Sequence, residues 1–100
     1  MVKHIVFWKL KEEALGNDKA INAQMAKEKL EALNGQIKGL LKLEVGVDLS
    51  KTDMSYDLAL YSEFANMEDL HFYDQHPLHV VVKGFIKEIN CSRKVVDYEI

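Results

Sequence analysis

The side chains able to do chemistry collect around the chain's single proline. Tyr73-Asp74-Gln75-His76-Pro77-Leu78-His79 spaces a phenol and two imidazoles three residues apart, which on a continuous helix would stack them along one side. Pro77 has no backbone N–H and disfavours helical geometry at His76, so one helix should end near Gln75 and another should open with Pro77 as its first residue. Such a break loosens the alignment without destroying it and brings side chains within reach of a ligand. His79, with an ordinary imidazole pKa of about 6.5, can accept a proton near neutral pH, and Tyr73 can hydrogen-bond a carbonyl oxygen as it gains negative charge. The pair suits enolisation, aldol closure or decarboxylation. The structural alternatives are a His79 bonded to backbone or to Tyr73, a Tyr73 that packs in the core with its hydroxyl at the surface, and a His76 that organises the break.

The elements that position these groups follow from hydrophobic period. Residues 2 to 10 put His4, Val6 and Trp8 on one face and Ile5 and Phe7 on the other, which predicts a strand buried on both sides. His4 then needs a partner, either a core hydrogen bond or a pocket ligand. A helix over 17 to 33, capped by Asn17 or Asp18 and stopped at Gly35, carries Ala23, Ala26, Leu30 and Leu33 as its apolar stripe. From 41 to 49 the odd positions are apolar and should face inward, as in an edge strand. The next strand, 56 to 64, has Tyr56, Leu58, Leu60 and Phe64 on one face and Ala59 and Tyr61 on the other, and should be central. Asn66 caps a short helix to about Gln75. The helix from Pro77 to about Asn90 has Leu78, Val81, Val82, Phe85, Ile86 and Ile89 as its stripe, with His79 on the margin of the core. Ser92 to Ile100 closes the chain as a strand.

Strand, helix, strand, strand, helix, strand is the split order of a ferredoxin-like α+β subunit, with a four-stranded antiparallel sheet and helices on one face. One domain over residues 1–100 is expected. Helices can cover only one face of the sheet, so Ile5, Phe7, Ala59 and Tyr61 on the other face call for a second copy, and a homodimer is inferred.

Composition sets the outer bounds. Apolar residues are 48% and charged residues 29% of the chain, and the net charge is −3, so no basic stripe is present for nucleic acid or an anionic membrane. The apolar opening is too short for a signal peptide and no stretch reaches membrane-span length, which predicts a cytoplasmic protein. Cys91 is the lone cysteine and reads as a small strand or loop residue. His71 falls on the polar side of its helix. A metal site from His4, His76 and His79 lacks a carboxylate at diagnostic spacing, and none is expected.

Four segments in order carry a family likeness: Val2-Lys3-His4-Ile5-Val6-Phe7; Ile37-Lys38-Gly39-Leu40 leading to Leu43-Glu44-Val45-Gly46; Tyr56-Asp57-Leu58-Ala59-Leu60; and Tyr73-x-x-His76-Pro77-x-His79. With them the chain resembles the stress-responsive A/B barrel domain family, also called Dabb or dimeric α/β barrel proteins. The resemblance implies a ferredoxin-like subunit whose sheet pairs with that of a second subunit. More distantly, the chain is similar to plant polyketide cyclases of the olivetolic acid type, which implies acid–base roles for Tyr73 and His79 with His4 beside the same pocket. Leu58 departs from the cyclases, which carry a histidine there.

Two functions are consistent with these residues. One is an enzyme or binder, without a cofactor, acting on a small apolar carbonyl compound in a pocket between sheet and helices, lined by His4, Val6, Trp8, Leu58, Tyr73, His76, His79, Val82 and Phe85. The other is a non-catalytic stress-related or scaffold homodimer with structural histidines. An empty, enclosed cavity of roughly 300 Å³ or more beside His79 would favour the first, and a filled core the second.

Overall fold

Alternation settles the first strand. In β1 (Val2–Leu10) the side chains of Val2, His4, Val6, Trp8 and Leu10 are buried, Lys3, Ile5 and Lys9 are half-buried and Phe7 is exposed. Within the subunit the strand is thus covered on one face, not on both, because all three helices contribute to the core on that same side. The computed structural model describes residues 1–100. After β1 comes a minimal hairpin, β2 (Glu13–Ala14) and β3 (Asn17–Asp18), turned through Leu15 and Gly16, both at positive φ. The sequence reading does not anticipate this hairpin, since Leu15 is a poor candidate for a left-handed backbone. Asn22, fully buried, ties it to the first helix by donating to the Ala14 carbonyl at 3.0 Å.

Asp18 caps α1 (Lys19–Glu31) by accepting the Ile21 N–H at 2.9 Å, and Ala23, Ala26 and Leu30 face the core as the stripe predicts. Strand β4 (Leu40–Val47) is an edge strand, but its alternation is not uniform. Leu40, Leu43 and Val45 are buried, whereas Leu41, Val47 and Leu49 are exposed. The pairing with β5 (Leu58–Phe64) shifts between Leu40 and Lys42, so Leu41 is the extra residue of a bulge and loses its inward position. In β5, Leu58, Leu60, Ser62 and Phe64 are buried. Tyr56 precedes the strand and packs edge-on against Phe7, with ring centres 6.4 Å apart, instead of sharing the face of Leu58.

Two further helices, α2 (Met67–Gln75) and α3 (Pro77–Ile89), lead into β6 (Asn90–Glu99). The strands are antiparallel neighbours in the order β4-β5-β1-β6, so β1 and β5 are central. This is the ferredoxin-like α+β subunit. The other sheet face carries Ile5, Ala59 and Tyr61, all half-buried, and the exposed Phe7, Val96 and Tyr98. Register makes Ile5 the neighbour of both Tyr61 and Val96, so these groups form one continuous apolar surface. No helix is long and apolar enough to cross a membrane.

The approach to β4 depends on a close contact. Gly39 sits at φ 90°, and a Cβ there would meet Asp69 Cγ at 2.8 Å and Asp69 Cβ at 2.9 Å, whereas Gly35, at φ 76°, has open space around it. Gly35→Ala should cost about 1–2 kcal/mol for the left-handed backbone alone. Gly39→Ala should cost more, because Asp69 must also move. Urea unfolding of the two variants checks the order, and equal losses would remove the steric contribution.

Candidate functional site

One residue joins α2 to α3 and fixes what faces what. Asn66 caps α2 by accepting the Asp69 N–H at 2.9 Å, and Tyr73 falls in the last turn. His76 then leaves the helix at φ −63°, ψ 134°, the extended geometry that a following proline favours. Its N–H donates to the Tyr73 carbonyl at 3.1 Å, and its Nδ1 accepts the Leu78 N–H at 3.1 Å. It therefore closes α2 and opens α3, with Pro77 at the first helical position where no donor is needed.

Across this joint the rings of Tyr73 and His79 stack, their centres 4.1 Å apart and their planes 25° from parallel. His4 on β1 meets Tyr73 edge-on at 6.4 Å. Phe64 supports Tyr73 from the side at 5.1 Å. All three candidate residues, His4, Tyr73 and His79, are buried.

His79 is deeper than the hydrophobic stripe predicts. The buried positions of α3 are His79, Val82, Ile86 and Ile89, while Leu78 and Val81 are exposed and Phe85 is half-buried. At about 100° per residue this turns the inward face by about 50° from the stripe centred on the apolar residues. With the imidazole drawn inward by stacking on Tyr73, Leu78 and Val81 turn to solvent.

Between sheet and helices lies a cleft of about 290 Å³ that opens to solvent, just below the usual size of small-molecule pockets and not the enclosed cavity that would have favoured a ligand outright. His4, Val6, Trp8, Tyr73 and His79 line it together with Leu30, Leu60 and Ile86, and Asp74, Lys83, Lys87, Asn90 and Arg93 complete its wall. Leu58, His76, Val82 and Phe85 do not line it. Leu58 pairs with Trp8 farther along the sheet and is packed in the core, its neighbour on the same face, Leu60, reaching the cleft instead. His76 is occupied by the helix joint and lies edge-on to Phe72 at 5.8 Å. Val82 is part of the core cluster, and Phe85 lies beneath the Lys29 ammonium at 5.1 Å. The polar wall escapes a search of apolar stripes; the alternation of β6 against β1 was the available signal, since it aligns Arg93 with Trp8 and Asp97 with His4.

Burial gives the two stacked rings distinct protonation states. Desolvation pushes the Tyr73 phenol well above its ordinary range, with the Asp74 charge adding to the effect and Arg93 opposing it; the phenol stays protonated at neutral pH. Its hydroxyl is buried without a hydrogen-bond partner. For His79, burial lowers the pKa, against the opposing bond to the Asp74 backbone, so the neutral imidazole is favoured. Nδ1 lies 3.3 Å from the Asp74 carbonyl, which can only accept; in the neutral ring Nδ1 therefore carries the proton and Nε2 keeps the lone pair. His4 Nδ1 is in hydrogen-bond contact with the Asp97 carboxylate, the partner its buried strand position requires. A protonated phenol and a neutral imidazole together provide a hydrogen-bond donor and a proton acceptor.

A wider groove of about 1020 Å³ lies at Lys9–Glu12, Asp18–Ala20 and the segment between β4 and β5. It holds no histidine or tyrosine, and Lys19 within it is paired, contacting Glu12 at 3.0 Å and Asp57 at 3.6 Å. No group of three or more His, Cys, Asp or Glu side chains is arranged to hold a metal ion.

A split-order antiparallel sheet backed by helices on one face, with a small cleft between the layers, defines a ferredoxin-like α+β protein. The chain belongs to the stress responsive A/B barrel domain (Dabb) family, whose model matches residues 2–100. It is 29% identical over 99 residues to an uncharacterised protein of Streptomyces coelicolor, covering 99% of each chain. Among solved structures, a dimeric protein of unknown function and ferredoxin-like fold from Bacteroides fragilis is 39% identical with a TM-score of 0.88, over 99% of this chain and 95% of that one. A hydroxynitrile lyase from Passiflora edulis has a TM-score of 0.79 at 19% identity, over 99% and 92% of the two chains.

The buried imidazole has a pH signature. Its folded pKa lies below the unfolded value of 6.5, so between the two the unfolded chain binds more protons and stability rises with pH. The contribution of His79 is fully present above pH 6.5 and is lost as pH falls through the folded pKa. An NMR titration should give His79 a midpoint below 6.5, and His79→Gln should flatten the fall in stability on acidification. A midpoint above 6.5 would reverse the sign.

Proposed function

We propose that the chain acts as a homodimeric Dabb protein that binds a small, largely apolar carbonyl compound between sheet and helices and transforms it by acid–base chemistry. The observation that carries this reading is the Tyr73 hydroxyl, buried without a partner on a ring stacked 4.1 Å from a neutral His79, beside the cleft. An unsatisfied buried hydroxyl costs about 1–3 kcal/mol. A carbonyl oxygen would recover that loss once the side chains that close over the hydroxyl shift to open it to the cleft.

In the proposed step His79 Nε2 takes a proton from the carbon next to the carbonyl. The C–H electron pair moves into the new C=C bond as the C=O π pair shifts to oxygen, and the Tyr73 hydroxyl hydrogen-bonds the developing enolate. The enolate carbon can then attack a second carbonyl or recover a proton. The proton that His79 has taken is the one returned, to carbon or to oxygen, while His4, held by Asp97, packs edge-on against the Tyr73 ring. Val6, Trp8, Leu30, Leu60 and Ile86 supply the apolar surroundings in which such hydrogen bonds are strong. The likeness to a hydroxynitrile lyase is one of fold, and the reading rests on the site.

The dimer is supported by the continuous apolar surface around Phe7, Ile5, Tyr61 and Val96, which helices leave open. It is supported also by the dimeric description of the 39% identical B. fragilis protein. The exposed free thiol of Cys91 suits a reducing cytoplasm.

Exchange of the methyl protons of acetophenone in D₂O, followed by NMR, tests the chemistry without knowledge of the natural substrate. The protein should accelerate exchange, and His79→Ala and Tyr73→Phe should each lower the catalysed rate by roughly 10²-fold or more. Unchanged exchange in both variants would assign the two rings to structure. Sedimentation should report a dimer at micromolar concentration, and Phe7→Asp should weaken it together with subunit stability. A stable wild-type monomer would remove the barrel.

A further inference from the structure

The polar wall of the cleft is not uniform. Lys83 is engaged, its ammonium 2.8 Å from the Asp74 carbonyl and 3.1 Å from the Asp74 carboxylate. Asn90 is engaged too, its amide donating to the Ile86 carbonyl at 2.8 Å. Lys87 and Arg93 line the same cleft and take part in none of the chain's ion pairs or side-chain hydrogen bonds. Arg93 is the only arginine among 13 basic residues. Register places it opposite Trp8, and cross-strand partners share a face, so it belongs to the helix-covered side with Val6 and Trp8. Lys87 is one helical turn beyond Lys83 on α3, on the opposite wall. Two exposed cations from different elements, neither paired within the chain, thus border the cleft beside Asp74, Lys83 and Asn90, in a chain whose net charge is −3.

Building on the proposed acid–base reading, we infer that the ligand is an oxo acid: its carbonyl meets Tyr73 and His79 while a carboxylate at its other end is held by Arg93 and Lys87. A guanidinium presents a planar fork that matches the two oxygens of a carboxylate, and an ammonium on the facing wall adds a third donor. The body between the two ends lies against Val6, Trp8, Leu60 and Ile86. A cleft of about 290 Å³ accommodates an aromatic ring or a short acyl chain between these groups. The anion fixes which end enters first, so the reacting carbonyl is delivered to the phenol and not to the rim.

Trp8 is the chain's one tryptophan and lines the cleft, so its indole N–H resonance reports occupancy directly. The probes are 4-acetylbenzoate and the neutral, equally sized 4-acetylbenzamide, titrated into the full chain by NMR. The wild type should bind the carboxylate about tenfold more tightly than the amide, the size of one charge-assisted contact at a partly exposed site. That ratio should shrink as salt is raised. In the double variant Arg93→Gln, Lys87→Gln it should collapse towards one. Equal wild-type affinities, or a preference that survives both substitutions, overturns the oxo-acid assignment while leaving the carbonyl reading intact. Failure of both probes to move the Trp8 resonance overturns the two together.

Discussion

A single missing backbone donor governs the arrangement of this site. Because Pro77 has no N–H, the helical ladder cannot run through it, and His76 is driven into extended geometry. The imidazole of His76 then serves the joint, capping α3 while its backbone closes α2. Tyr73 and His79, on either side, are thereby brought ring to ring at 4.1 Å. Had the helix continued, residues six apart would lie well over a turn from each other, too far along the axis to stack. The break thus converts a spacing in sequence into a contact between two ionisable rings.

The sheet supplies the rest of the environment. β1 brings His4 beneath Tyr73 and places Val6 and Trp8 along the cleft, while β6 runs beside it and supplies Asp97 to His4 and Arg93 to the wall. Every second residue of β1 is committed to this side. The remaining positions, Lys3, Ile5, Phe7 and Lys9, must face the open side, so the surface proposed for dimerisation and the cleft proposed for binding are opposite faces of one strand. A substitution on either face therefore acts on the strand that both share.

Much of this was legible in the sequence, and the misses have physical causes. The order of the four sheet strands and their helices, a cap at Asn17 or Asp18 and one at Asn66, and the break at Pro77 follow from local signals strong enough to survive packing, whereas the small β2–β3 hairpin does not. The convergence of His4, Tyr73 and His79 follows from the break and from the family likeness. Hydrophobic phase misplaces the inward face of α3, because a stripe of apolar residues leaves out the histidine that, stacked on Tyr73, occupies one of the inward positions. In β4 a bulge at Leu41 interrupts a period that the sequence continues, and nothing in its residue types marks the interruption. Leu58, Val82 and Phe85 are apolar and near the right elements, but which member of a packed layer borders a cleft depends on distances that periodicity does not encode. Arg93 and Lys87 were hidden for the opposite reason: they look like ordinary surface charge until register sets Arg93 opposite Trp8.

On the proposed reading, the unpartnered Tyr73 hydroxyl is kept for a ligand's carbonyl oxygen. A crystal structure of the protein saturated with acetophenone should show the ketone in the cleft beside Trp8, its oxygen at about 2.7 Å from the Tyr73 hydroxyl and its methyl carbon facing His79. A cleft that stays empty at saturating ketone, with the Tyr73 hydroxyl bonded to a protein group or an enclosed water, would contradict it.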